Sequence, residues 1–316
     1  MLVSNLMVKK ISFTIAVYRN EGALTHTYEK LKNLFSSNSN LAHYDYEIVF
    51  VDDGSDDASL PELLALREKD PKVKIISFTR NFGQMAAMLA GFKHCSGNAI
   101  INISADLQDP IELINEMVVA WEKGNELVIC YRVNRSDNFT SKIFSRIAYK
   151  FLRLAVPSIP RGGFDFALMD RKLMDDFNNL DFRNRFFQGD VLWFGYKTHF
   201  IPYVRLKRTI GKSQYKFWKK IKNFVDGFVD SSYLPIRFMS GLGVCTALLG
   251  FLYGLSVIYA FFFQSLPFPG WAPIMILILI IGGLIMTMLG IIGEYIWRIF
   301  DEVRKKPNYV IREIYE

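Results

Sequence analysis

The sequence predicts an α/β protein, a mostly parallel sheet with helices on both faces, followed by a two-helix transmembrane hairpin. Two observations predict this. From Lys10 to Lys123, short apolar runs alternate four times with helical segments, the pattern of a parallel sheet covered on both sides. Between Arg237 and Glu294 the chain then carries no charged residue and no histidine over 56 residues, room for two spans of roughly 20 residues and a connector.

Lys10 to Tyr18 reads as the first strand, Arg19 to Gly22 as a loop, and Leu24 to about Leu34 as the first helix. Tyr46 to Val51 is the second strand and runs into Asp52-Asp53-Gly54-Ser55-Asp56-Asp57, with a helix at Ser59 to Lys69. Val73 to Phe78 is the third strand and Gln84 to His94 an Ala- and Met-rich helix. The apolar run Ala99 to Ile103 is the fourth strand; it delivers Ser104-Ala105-Asp106-Leu107-Gln108-Asp109-Pro110 to its carboxyl end, before a helical segment from Ile111 to Lys123. Open α/β sheets bind ligands at that edge.

Oxygen donors gathered there suit a hard cation such as Mg²⁺ or Mn²⁺, which neutralises phosphates. The competing reading is helix capping, since Asp before a Pro at the first helical position is a common start; Asp109 is assigned to that role. Tyr18 and Glu21 close the first strand, Asp53 the second and Asp106 the fourth, setting an aromatic face and three carboxylates along one edge, the set a nucleotide needs. Taken alone, Asp52 to Asp57 also reads as a solvated acidic turn. Neither a Gly-x-Gly-x-x-Gly after the first strand nor a Gly-Lys-Ser/Thr loop occurs, which excludes the common dinucleotide and P-loop classes.

Net charge is +7, and the surplus gathers at Arg205 to Lys222 and Arg298 to Lys306, on either side of the apolar block. Such flanks place both ends of the hairpin on the cytoplasmic side, facing anionic headgroups; this juxtamembrane placement argues against a nucleic-acid partner. Ile143 to Val156 and Phe217 to Val229 interleave basic and apolar residues at helical spacing, as interfacial helices do, though packing on the sheet explains the stripes equally well. Cys95, Cys130 and Cys245 lack ligand spacing and read as reduced, packed thiols. The four histidines read as structural or surface groups, and Met1 to Lys10 carries no cleavable signal.

Five motifs in order, Val17-Tyr18-Arg19-Asn20-Glu21, Val51 to Ser55, Thr79-Arg80-Asn81-Phe82-Gly83, Ala105 to Pro110 and Phe164 to Arg171, precede the hairpin that ends Gly293-Glu294-Tyr295. The series resembles family 2 glycosyltransferases acting on polyprenyl phosphates, the group of bactoprenol glucosyltransferases and, further away, dolichol-phosphate mannose synthases. The resemblance implies a GT-A, Rossmann-like cytoplasmic domain over residues 1–212, a juxtamembrane amphipathic segment at 213–234, a hairpin at 235–300 with spans near 238–263 and 272–296, and a cytoplasmic tail at 301–316. It further implies inverting transfer of a hexose from a UDP-sugar, glucose favoured, to undecaprenyl phosphate for envelope glycan modification such as that of O-antigen, often by a homo-oligomer.

By the same resemblance, Tyr18, Glu21 and Asp53 hold the uridine, with Ser104 and Asp106 beside the nucleotide. Asp106 and Gln108 hold the metal, and Asp106 and Asp165 carry catalysis. Arg132, Arg135, Arg205, Arg208 and Lys212 are the candidates for the acceptor phosphate; Lys212 and Arg135 read equally well as solvated surface. Three positions depart from the family pattern: Ser104 stands for an Asp, Gln84 for a Lys and Ala167 for an Arg, and Asp170 competes with Asp165. Three alternatives accompany the main reading: a mannose synthase using GDP-mannose, a processive polysaccharide synthase, for which the Gln-x-x-Arg-Trp motif is missing at Gln188 to Trp193, and a decayed, membrane-anchored nucleotide-binding protein.

Overall fold

The computed structural model describes residues 8–106, 108–134, 152–153, 156–160, 163–180, 183, 185–204, 234–263 and 272–316. Arg135, Arg205, Arg208, Lys212, the Phe217 to Val229 segment and most of Ile143 to Val156 lie outside them. The chain forms two units, residues 1–227 with 307–316, and residues 228–306.

The first unit holds an eight-stranded sheet. In chain order its elements are β1 (Lys10–Val17), α1 (Leu24–Ser37), β2 (Asp45–Asp52), α2 (Ser59–Lys69), β3 (Val73–Phe78), α3 (Gln84–His94), β4 (Ala99–Asn102), α4 (Leu113–Glu122), β5 (Leu127–Asn134), β6 (Phe166–Asp170), α5 (Arg171–Asn178), α6 (Phe187–Trp193), β7 (Thr198–Val204) and, after the second unit, β8 (Ile311–Tyr315). The spatial order is β7-β5-β6-β4-β1-β2-β3-β8. β4, β1, β2 and β3 run parallel, as the βα alternation requires. β6 and β8 run against their neighbours, so the sheet is mixed yet mostly parallel.

Alternation along each strand splits the core into two layers, because successive side chains point to opposite faces. Ile11, Phe13, Ile15, Ile48 and Phe50 pack beneath Leu24, Tyr28, Leu31, Leu63, Ile114 and Met117 of α1, α2 and α4. Val49, Val51, Ile76 and Ile100 face Ala87, Ala90, Phe92, Leu173, Phe177 and Phe187 of α3, α5 and α6.

Helix α4 corrects one expectation. It begins at Leu113 with no side-chain cap, because a turn, Leu113 N–H to Pro110 carbonyl at 3.2 Å, separates it from Asp109. Asp109 is 1% exposed and turns to the sheet instead. The residues after Lys306, read from sequence only as a tail, contribute an edge strand.

One buried carboxylate pins the sheet at the edge away from the carboxyl ends. Glu47 of β2 is 3% exposed and accepts from Ser12 Oγ at 2.6 Å and from the Ser96 amide and hydroxyl, with Lys74 Nζ at 3.4 Å. Burial alone raises its pKa, but these donors outweigh it and hold it below the ordinary 4.5. A depressed carboxylate stabilises the fold in full above its unfolded value and loses that contribution as pH falls through the folded one. Glu47→Gln is therefore expected to cost about 1–3 kcal/mol near neutrality, and the deficit relative to wild type shrinks in urea titrations carried down through pH 4.5.

The second unit consists of two helices, α7 (Leu234–Phe263) and α8 (Ala272–Val303). Each is long and apolar enough to cross a membrane, over Ile236–Ser256 and Ile280–Val303. Phe238, Leu249, Phe251, Ile278, Met286 and Ile299 among their side chains are more than half exposed.

Candidate functional site

Every predicted site residue that the structure describes lies at one edge, where β1, β2, β4, β5 and β7 end and β6 begins. Arg132 of β5 pairs in register with Tyr203 of β7, and Asn102 of β4 with Ala167 of β6. This register brings Asp165, just before β6, beside the end of β4. At the other end of β6, Asp170 is aligned with Ala99.

Asp170 accepts from the Trp121 indole N–H at 2.8 Å and from the Lys172 amide at 2.9 Å. It is the N-cap of α5. Five residues of strand at about 3.3 Å each separate it from Asp165.

A chain of polar contacts crosses the site. Ser104 Oγ donates to Asp109 Oδ2 at 2.7 Å, and Tyr203 Oη donates to Asp109 Oδ1 at 2.5 Å. Arg132 donates through Nε to Tyr203 Oη at 3.2 Å and through Nη2 to Asp165 Oδ2 at 3.0 Å. The Arg132 side chain is 9% exposed and that of Asp165 is 45% exposed. Burial alone would lower the guanidinium pKa, but Asp165, Tyr203 and Asp109 outweigh it and hold Arg132 above its ordinary value. Burial and Asp109 push the Tyr203 phenol up, so both groups keep their protons. The segment carrying Asp106 and the segment carrying Asp165 are therefore joined by a half-buried, charge-assisted network.

Two further contacts hold these segments. Asn102 Nδ2 donates to the Asp165 carbonyl at 2.7 Å and Gln188 Nε2 to that of Phe164 at 2.6 Å. Thr27 Oγ1 donates to the Ala105 carbonyl at 2.9 Å, tying α1 to the acidic loop. Asp106 is half-buried and accepts from the Gln108 amide at 3.3 Å.

The loops after β1 and β2 lock together. Arg19, at φ 53°, grips Asp56 through Nε at 2.6 Å and Nη2 at 2.5 Å, and its guanidinium lies 5.4 Å from the Tyr18 ring. Glu21 is exposed and accepts from the Ala58 amide at 3.0 Å. Asp53 is 2% exposed; its two oxygens accept the amides of Phe82 at 2.6 Å and Gly83 at 2.9 Å. Gly54, at φ +66°, passes so close to Arg80 that a Cβ there would meet the Arg80 carbonyl carbon at 2.4 Å. That close approach requires glycine.

Sequence reasoning missed Tyr203, Asn102 and Gln188, and gave Asp109 the wrong task. Only the period-2 alternation of His199, Ile201 and Tyr203 signalled β7, and a strand signal does not say which neighbour lies opposite.

The donor set suits a divalent cation shared with a diphosphate. Asp106 supplies one half-buried carboxylate and Gln108 a neutral oxygen, and no group of three or more His, Cys, Asp or Glu converges among the described residues. Mg²⁺ is commonly held in this way, by one or two carboxylates with phosphate oxygens completing the shell. Ser104, in the place of the family's Asp, is hydrogen-bonded to Asp109.

Residues 12–210 match the Glycosyl transferase family 2. The chain is 38% identical over 306 residues to an uncharacterized glycosyltransferase of Bacillus subtilis, covering 96% of this chain and 94% of that one. It is 35% identical over 306 residues to a prophage-derived bactoprenol glucosyl transferase of Shigella flexneri, covering 96% and 98%. Glucosyl-3-phosphoglycerate synthase from Mycobacterium tuberculosis, solved with phosphoglyceric acid, shares the fold with TM-score 0.51 at 17% identity over 69% of this chain and 80% of that one. The same enzyme with Mn²⁺, UDP-glucose and phosphoglyceric acid gives 0.50 at 14% identity over 71% and 79%. With the mixed sheet, the acidic loop at its carboxyl edge and this match over residues 12–210 together, the chain belongs to glycosyl transferase family 2 and is a glycosyltransferase of GT-A fold.

Proposed function

We propose that this chain transfers a hexose, glucose favoured, from a UDP-sugar to undecaprenyl phosphate at the cytoplasmic face of the membrane, with inversion at the anomeric carbon. The observation that carries the reading is the network joining the Asp106 loop to the Arg132–Asp165 pair at one sheet edge, which supports reading Asp106 as donor-side and Arg132 as acceptor-side. Support for the acceptor comes from relatives named bactoprenol glucosyl transferase at about a third identity over nearly the whole chain.

In this scheme Tyr18, Glu21 and Asp53 line the base and ribose, and Asp106 and Gln108 would hold Mg²⁺ or Mn²⁺ against the diphosphate. The cation, when bound, supplies charge neutralisation for the leaving nucleoside diphosphate. Arg132 offers its guanidinium to the acceptor phosphate, for which a planar fork is well matched, and Arg135, Arg205, Arg208 and Lys212 extend the basic set. A lipid phosphate is already ionised at neutral pH, so Asp165 orients it, and fixes Arg132, without having to remove a proton of high pKa. Holding both reactants in line is the main source of acceleration open to such a site.

The proposed membrane arrangement rests on connectivity. β1 to β7 precede α7 and α8, and β8 follows them in the same sheet, so both ends of the helical unit return to one domain. Two crossings satisfy this, and the basic flanks put that domain on the cytoplasmic side.

Radiolabelled UDP-glucose, incubated with purified protein, undecaprenyl phosphate and detergent, is expected to deliver label to the lipid phase with Mg²⁺ or Mn²⁺ and not with chelator. Label that enters the lipid equally with chelator removes the metal from the scheme; label only from GDP-mannose replaces the donor.

A further inference from the structure

We propose that the C-terminal strand β8 is a positioning element of the donor site, and that it links the membrane helices to the loop against which the nucleotide is held. This rests on the assignment of the donor to the edge carrying Tyr18 and Asp53.

The loop Thr79 to Gly83 between β3 and α3 has no regular structure of its own, and Thr79, Arg80 and Asn81 are exposed. A loop so placed keeps one conformation only if its backbone groups are tied down. Two elements do this. From one side Asp53 takes the amides of Phe82 and Gly83. From the other, the last ten residues of the chain grip its start: the Thr79 amide donates to the Val310 carbonyl at 3.1 Å, and Arg312 Nη2 donates to the Thr79 carbonyl at 3.1 Å.

A stack of rings reinforces the second grip. Tyr309 lies flat on Phe78 with centroids 5.0 Å apart and planes 9° from parallel, and Phe78 meets Phe82 edge-on at 5.8 Å. Tyr309 thus reaches the middle of the loop through a buried ring, and Phe82 is the residue whose amide Asp53 binds. The Arg80 backbone, next in chain to the gripped Thr79, is also the group against which Gly54 packs. A shift of Thr79 therefore moves Arg80, Gly54 and the partners of Asp53 together.

Strand β8 is suited to transmit such a shift. It has five residues, pairs among the described residues on one side, and its register with β3 breaks between Ser77 and Phe78, at the loop. Short edge strands with exposed side chains lie at the low end of local stability. It is also joined covalently to α8 by residues 304–310 alone. Seven residues of chain therefore join the end of α8 to the strand that grips the donor loop.

The test uses full-length protein in detergent with Arg312→Ala and Tyr309→Ala, and Tyr315→Phe at the far end of the strand as the comparator. The two loop-side variants are expected to raise KM for the UDP-sugar about three- to tenfold, the range for one or two lost contacts. KM for the lipid acceptor stays at the wild-type value, and Tyr315→Phe leaves both unchanged. Amide exchange at Phe82 and Gly83 in the nucleotide-free protein is expected to quicken in the loop-side variants only. Unchanged donor KM and unchanged exchange overturn the inference, as does an equal rise in both KM values, which marks a general loss of structure. Failure of the wild type to bind UDP at all overturns the donor assignment itself, and is separated from the other outcomes by that single titration.

Discussion

Asp106→Asn protein is expected to transfer sugar about 10²–10³-fold more slowly than wild type, with the loss concentrated in kcat. Asparagine keeps the shape of the side chain and still accepts from the Gln108 amide, so the loop persists and thermal stability stays close to wild type. What is removed is the negative charge that would make this oxygen a ligand for a hard cation. No group of three or more His, Cys, Asp or Glu converges there among the described residues, so the charge of Asp106 is a large share of what the site offers a cation. Raising Mn²⁺ is expected to recover part of the activity, which separates weakened metal binding from misfolding. Full turnover at ordinary metal concentration contradicts the role given to Asp106.

Asp165→Asn is expected to lower kcat about a hundredfold, the cost of a misplaced acceptor, while KM for the donor stays at the wild-type value. The amide oxygen still accepts from Arg132 Nη2, and the bond from Asn102 goes to the backbone, so the network keeps its form and only charge is lost. Asp170→Ala makes the contrast. It removes an N-cap and the bond from Trp121, costing about 1 kcal/mol or somewhat more of stability, with kcat unchanged. A stopped-assay comparison of the two variants at a temperature where both are folded decides between the carboxylates; a kcat loss in Asp170→Ala alone reverses the assignment.

The hydrophobic period of Lys10 to His94 and the strand ending at Asn102 carried their own structure, and the observed bounds differ from the expected ones by a few residues at most. They were legible because a buried parallel strand and its covering helix are each specified by local pattern, and because a parallel sheet puts successive strand ends at one edge without further information. The apolar block was legible for the same reason, since span length and absence of charge are local properties.

Pairings between distant segments were not legible. Asp109 is one position before Pro110 and local rules make it a cap, whereas Tyr203, 94 residues on, claims its oxygen. Asp165 and Asp170 stand on one short segment with no local feature to separate them, and the antiparallel register of β6 against β4 sets them at opposite edges of the sheet. The tail after Lys306 carries Tyr309, Val310, Ile311, Ile314 and Tyr315 but no clean period-2 alternation to announce a strand, and β3 supplied the partner for it. Sequence by itself determined the elements, the edge at which the chemistry lies and the residue types available there. Tertiary structure alone decided which of those residues meet, because long-range hydrogen bonds and ion pairs depend on strand order and register.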